Sequence, residues 1–190
     1  MRPARKSDSR IIAELFEIAS DGVASYVWST LQADYPDLPL LEIGRLRYER
    51  ERTPFSHQNC LLAEHEGEVR GMMHAYPVDA PTDPSPGEQP VDPVLKPYSE
   101  LEAPGSLYIA GMAVLPGFRS QGLGARFLEA ARERAQGLGL PELSLLCFAG
   151  NTGARRLYER TGFVVVDWRP VVPHPMIRHT GDVLLMLAPV

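Results

Sequence analysis

The residues with the most chemical potential in this sequence are Arg119-Ser120-Gln121-Gly122-Leu123-Gly124. An apolar run ends at Pro116, a turn Gly117-Phe118-Arg119-Ser120 follows, and a helix is predicted over about 121–138, opening with Gln121-Gly122-Leu123-Gly124. The first turn of a helix has N–H groups with no intrahelical partner, and the macrodipole adds partial positive charge there. A diphosphate seated on that turn gains several donors at once. Glycines at 122 and 124 let phosphates approach the backbone, and Arg119 adds a full charge with a fork of donors. A helical glycine costs about 0.5–1 kcal/mol relative to alanine, so two in a first turn beside an arginine weigh against a purely structural turn. Other phosphate-binding patterns fit worse. There is no Gly-Lys-Ser/Thr, and no third glycine in dinucleotide-binding spacing with an acidic residue closing the next strand.

The elements around this turn can be read from periodicity. Ser7-Asp8-Ser9 precedes Ile11, Ile12, Leu15, Phe16 and Ile18, the pattern of a capped amphipathic helix. A second, irregular helical region spans about 23–52, broken at Tyr35-Pro36-Asp37-Leu38-Pro39, and its charged end from Glu42 to Arg52 reads as a solvated face. Cys60 to Glu64 and Val69 to Tyr76 read as strands of a hairpin turning at Glu66-Gly67-Glu68. Prolines between Pro77 and Pro104 argue against helix or interior strand, so 77–104 reads as a long surface loop insertion. Leu107 to Leu115 is apolar throughout, as in a central strand buried on both faces, with Gly111 marking a bulge or a close backbone approach. Strands Glu142–Phe148, Phe163–Trp168 and Val183–Leu187 follow, with a helix over 151–161. This order predicts an α/β sandwich, a mixed central sheet flanked by helices, in a single domain over 1–190.

Composition narrows the class. A chain of 190 residues with 44% apolar and 23% charged residues can bury a full core. Its net charge of −5 and scattered basic residues give no footprint for nucleic acid. No apolar run approaches the ~20 residues of a membrane span, and the N-terminus lacks a signal-peptide pattern, so the expected compartment is the cytoplasm. Cys60 and Cys147 lie in apolar segments and read as buried, reduced thiols. His174, His179 and Asp182 do not have metal-ligand spacing, and no metal is expected.

Residues Met112 to Leu128 (MAVLPGFRSQGLGARFL) resemble the acetyl-CoA-binding motif of the GNAT acetyltransferase superfamily, Arg/Gln-x-x-Gly-x-Gly/Ala after a strand ending in Val-x-Pro. Asn151 to Phe163 (NTGARRLYERTGF) resembles that family's next motif, Asn-x-x-Ala-x-x-x-Tyr-x-x-x-Gly-Phe. The matching region covers about 106–166. The resemblance implies an acyl-CoA-dependent N-acyltransferase with acetyl-CoA (CoA) as donor cosubstrate. It places the pyrophosphate on the amides of Gln121, Gly122, Leu123 and Gly124, with Arg119 and Ser120 at its edge. It places the pantetheine arm along Met112, Ala113 and Val114, beside a strand splay that Gly111 could serve. Asn151 would cap its helix and contact the cofactor or its strand, and Tyr158 would protonate the leaving thiolate. Leu157 and Phe163 are assigned to the core. Transfer would be direct, with a neutral amine attacking the thioester and backbone N–H donors, Val114 among them, stabilising the oxyanion.

The family's common strand glutamate has no counterpart between Ser106 and Leu115, where Tyr108 stands instead. The general base is open among Glu64, His74, Glu100 and Glu102. The missing carboxylate also leaves an alternative, a catalytically inactive CoA-binding regulatory module of the same fold; a third reading is a nucleotide-binding protein whose glycine turn holds another phosphate ligand. The acceptor, a small-molecule or protein amine, cannot be read from the sequence, and because the family forms dimers a second copy of the chain is a candidate partner.

Overall fold

The computed structural model describes residues 1–79 and 92–190, so residues 80–91 of the proline-rich segment lie outside the described residues. Seven strands are present: β1 (Arg2–Pro3), β2 (Cys60–His65), β3 (Glu68–Pro77), β4 (Ser106–Val114), β5 (Glu142–Phe148), β6 (Val164–Pro170) and β7 (Asp182–Pro189). They form one mixed sheet in the order β1-β2-β3-β4-β5-β7-β6. The helices are α1 (Ser9–Ala19), α2 (Val23–Thr30), α3 (Leu40–Glu49), α4 (Lys96–Ser99), α5 (Leu123–Leu138) and α6 (Thr152–Arg160). The expected α/β sandwich with a mixed sheet is the fold observed. Backbone contacts divide the chain into two compact units, and β4 and α5 each contribute residues to both.

The first unit holds residues 1–75, 111–127 and 176–178. Ile12, Ala13, Leu15 and Phe16 of α1 are buried, as their helical spacing requires. Phe16, Tyr48, Phe55 and His74 meet edge-on, with centroids 5.1–5.7 Å apart for the pairs involving His74. Trp28 of α2 lies against α3 at Gly44. The charge-dense α3 is a solvated ladder, as its pattern predicts. Arg10 pairs with Glu14 and Glu42, and Arg45 pairs with Glu42 and Glu49. Such exposed pairs add little to stability, because solvent screens them. The β2–β3 hairpin turns on Glu66 and Gly67, both at positive φ, which suits a two-residue loop. Arg2 of β1 ties the N-terminus down by donating to Asp8 and Glu64.

The second unit holds residues 76–110, 128–175 and 179–190. β4 and β5 pair in parallel from Ser106↔Glu142 to Ile109↔Leu145, and β5 then continues to Phe148 in antiparallel register with β7. Ser106 and Ser144 are fully buried and satisfy each other at 2.6 Å between hydroxyls. Arg132 of α5 donates to the Thr161 carbonyl at the end of α6.

The structure corrects several local expectations. β4 is not buried on both faces; Leu107, Ile109, Gly111 and Ala113 are buried, whereas Tyr108, Ala110, Met112 and Val114 are half-exposed. Tyr108, Ala110, Met112 and Val114 are hydrophobic types as well, so the strand's period of 2 is hidden in the sequence. Gly111 marks a close approach, since an added Cβ would stand 2.8 Å from the Phe16 ring. The loop insertion contains α4, because a proline is tolerated in a first helical turn, where Pro97 sits. Leu157 is half-buried, in contrast to Phe163 at 2% exposure.

Candidate active site

Beyond β4 the chain turns through Pro116–Phe118, and Arg119 is extended. Ser120 has φ 60° and Gly122 φ 80°, both left-handed, and α5 begins only at Leu123. The sequence reading had the helix opening at Gln121, with both glycines in its first turn. The structure puts Gly122 outside the helix; its carbonyl accepts the first helical bond, from Arg126 at 3.1 Å. Helix geometry then leaves the N–H groups of Gly122, Leu123, Gly124 and Ala125 ahead of the first i→i−4 bond, so the donor row includes Ala125, which motif matching did not reveal. Glycine at 122 answers a backbone need, since left-handed φ penalises any Cβ. Ser120 accepts that penalty, about 1 kcal/mol, which argues that the turn's shape matters more than its ease of folding.

Arg119 is exposed and donates from Nε to the Val114 carbonyl at 3.0 Å. Its other guanidinium donors have no partner among the described residues. Gln121 donates to the Gly117 carbonyl at 3.3 Å, which braces the turn. A second cation stands nearby that the sequence reading missed. Arg70 of β3 lies over the Phe118 ring at 4.5 Å, and its carbonyl accepts the Leu115 N–H at 2.9 Å. The available signal was an arginine interrupting the apolar run Val69–Tyr76. Gly71 was missed as well. A Cβ there would stand 2.7 Å from the Ala113 carbonyl, so glycine lets β3 approach the backbone of Ala113 and Val114. Met112 and Val114 are half-exposed and Ala113 is buried.

The second motif lies in the second unit. Asn151 is the N-cap of α6, its side-chain oxygen accepting the Ala154 N–H at 3.2 Å. Tyr158 is 8% exposed and packs against Phe163 with ring centroids 5.7 Å apart. Across from it stands Tyr108, whose phenol is pushed well above its ordinary range by burial, and further by Tyr76, Glu102 and Tyr158. Tyr76 meets Tyr108 edge-on at 5.6 Å. Burial, with help from the Glu102 charge, pushes the Tyr76 phenol up to about 12. The start of β4 is laced to the end of β3, Val78 donating to the Ser106 carbonyl and Gly105 to that of Val78. That lacing keeps the Glu102 loop beside the tyrosines.

The four candidate bases separate clearly. Glu64 pairs with Arg2 at 2.6 Å, within the first unit. His74 is fully buried with both ring nitrogens engaged. Its Nε2 faces the Pro54 carbonyl at 2.9 Å and must donate, so the neutral ring has only Nδ1 as acceptor, and the Tyr48 hydroxyl stands there at 3.2 Å. Glu100 pairs with Lys96 and Arg169. Glu102 is exposed and has no hydrogen bond or ion pair among the described residues. Elsewhere, both cysteines are buried. His179 stacks on Phe148 at 4.7 Å, and among the described residues no group of three or more His, Cys, Asp or Glu side chains could hold a metal. No described helix is long and apolar enough to cross a membrane.

Known proteins match this geometry. The chain is 37% identical over 71 residues to the uncharacterized N-acetyltransferase YycN of Bacillus subtilis (strain 168), a match covering 37% of this chain and 46%, about half, of that protein. The fold superposes on a crystal structure of an acetyltransferase with a TM-score of 0.67 at 23% identity, covering 100% of this chain and 98% of the other. It also superposes on an N-acetyltransferase from Staphylococcus aureus Mu50 with a TM-score of 0.63 at 18% identity, covering 98% of each. The model of the acetyltransferase (GNAT) family matches residues 21–163, which take in the glycine turn, the Asn151 cap and Tyr158. This chain therefore belongs to the GNAT acetyltransferase family.

Proposed function

We propose that the protein transfers an acetyl group from acetyl-CoA to an amine by direct attack, without a covalent acyl-enzyme. The observation that carries this reading is the turn from Arg119 to Gly124. Two left-handed residues feed a helix whose leading N–H groups come free beside an exposed arginine, an arrangement suited to a pyrophosphate. The pantetheine arm would lie along Met112, Ala113 and Val114. Asn151 orients α6 as its cap, and Tyr158 gives its proton to the departing thiolate as the C–S bond breaks. Glu102 takes the proton from the attacking nitrogen, directly or through water. Its charge acts on the Tyr76 and Tyr108 phenols, and it has no cation partner among the described residues.

The experiment is a thermal melt with acetyl-CoA. Acetyl-CoA raises Tm and Gly124→Glu abolishes the rise, by steric block and charge repulsion. Stabilisation by ATP or a dinucleotide with none by CoA would overturn the reading. Thiol release with an amine panel then tests turnover; binding without turnover across small amines, polyamines, amino acids and peptide N-termini identifies a CoA-binding module without catalysis.

A further inference from the structure

β6 is the last strand of the sheet, and it carries a dense run of exposed apolar side chains: Val164 at 61%, Val165 at 42%, Val166 at 50% and Trp168 at 55% exposure. An open, apolar edge is a template for another strand. The register with β7 shows which backbone groups point outward. Val171 donates to the Gly181 carbonyl at 2.7 Å, and Arg169 and Asp167 stand opposite Val183 and Leu185. Antiparallel residues alternate between bonding inward and outward, so Trp168 and Pro170 face away from β7.

At Trp168 and Pro170 no N–H is left open. Pro170 has no N–H to offer. The Trp168 N–H donates to Asp167 Oδ1 at 2.8 Å, and the Trp168 carbonyl accepts from Arg169 Nη1 at 2.7 Å. The same two side chains pair with each other at 2.8 Å, and Arg169 Nε is anchored on Glu100 at 3.1 Å. Val166 is the unpaired residue of a β-bulge, which twists the strand away from a flat edge.

We propose that Asp167 and Arg169 form a clasp that keeps a second copy of this chain from adding to β6. A second copy is the occupant that fits by charge. An antiparallel β6 pair with its two-fold axis at Trp168 sets Asp167 opposite the other copy's Arg169 and Val166 opposite the other copy's Pro170. The charges that seal the edge within one copy would cross-pair between two. The intrachain arrangement prevails because it forfeits no translational or rotational freedom and Glu100 holds it in place.

Sedimentation velocity of the full chain tests this. The double variant Asp167→Ala/Arg169→Ala self-associates at least about tenfold more tightly than the wild type, and adding Val166→Lys to it reverses the gain. Should the double variant lose its native far-UV circular dichroism, Arg169→Gln alone carries the same comparison. The proposal is overturned if clasp variants and wild type sediment alike over the same concentrations, or if the gain persists with Val166→Lys.

Discussion

The glycine turn and the tyrosine cluster are built on opposite principles. The turn is one continuous stretch, Arg119 to Ala125, whose donors are backbone N–H groups and whose shape rests on φ at Ser120 and Gly122. The cluster gathers side chains from four separated positions, Tyr76, Glu102, Tyr108 and Tyr158, held by burial and by the lacing of Val78 to Ser106. Under the proposed reading, backbone donors would serve a ligand common to a whole family, because any sequence that makes the turn supplies them. Side chains from separate segments can change one at a time, which suits the part of the reaction that differs between relatives.

That contrast predicts mutations that separate rate from binding. The largest effect belongs to Tyr158→Phe and Glu102→Gln, each lowering turnover by about 10²–10⁴-fold, the usual range for a general acid or base. Acetyl-CoA affinity by calorimetry should move less than about threefold in both. Unchanged turnover in either variant would take that residue out of its proposed role and leave the donor site intact.

Gly71→Ala tests the other side. The new methyl would press on the Ala113 carbonyl, a backbone atom that cannot swing away. Destabilisation of about 1–3 kcal/mol is expected, together with weaker acetyl-CoA binding, measured by chemical denaturation and calorimetry. A variant as stable as wild type with unchanged affinity would show that the β3–β4 approach does not shape the donor strand.

The smallest effect is on alkaline stability. Burial pushes the folded Tyr76 phenol up to about 12, above the ordinary tyrosine value of about 10. Below pH 10 both states hold the proton and stability is unaffected. From about pH 10 to 12 the unfolded chain loses its proton first, so stability falls as pH rises. Part of the raised value comes from the Glu102 charge, so Glu102→Gln should make the decline shallower in denaturant melts across that range. An identical slope would place Glu102 away from the tyrosines and weaken its assignment as base.

Much of the fold was legible because its determinants are local. The spacing of Ile12, Leu15 and Phe16, the Glu66-Gly67 turn and the bounds of β5 follow from periodicity and turn chemistry over a few residues. The two-residue β1 and the four-residue α4 were not, since neither is long enough to show a period. The start of α5 was placed two residues early because a glycine before a helix and one inside it read alike until φ is known.

At the site, the order of the chain marks the Arg119–Gly124 turn, Asn151 and Tyr158, which lie in contiguous motifs whose residue types answer backbone geometry. The four candidate bases differ in ways that only the fold shows. Two hydrogen bonds saturate the His74 ring, Glu64 and Glu100 stand in ion pairs, and Glu102 has neither among the described residues. Whether a carboxylate is neutralised depends on which distant segment folds against it. Spacing along the chain carries no record of that pairing.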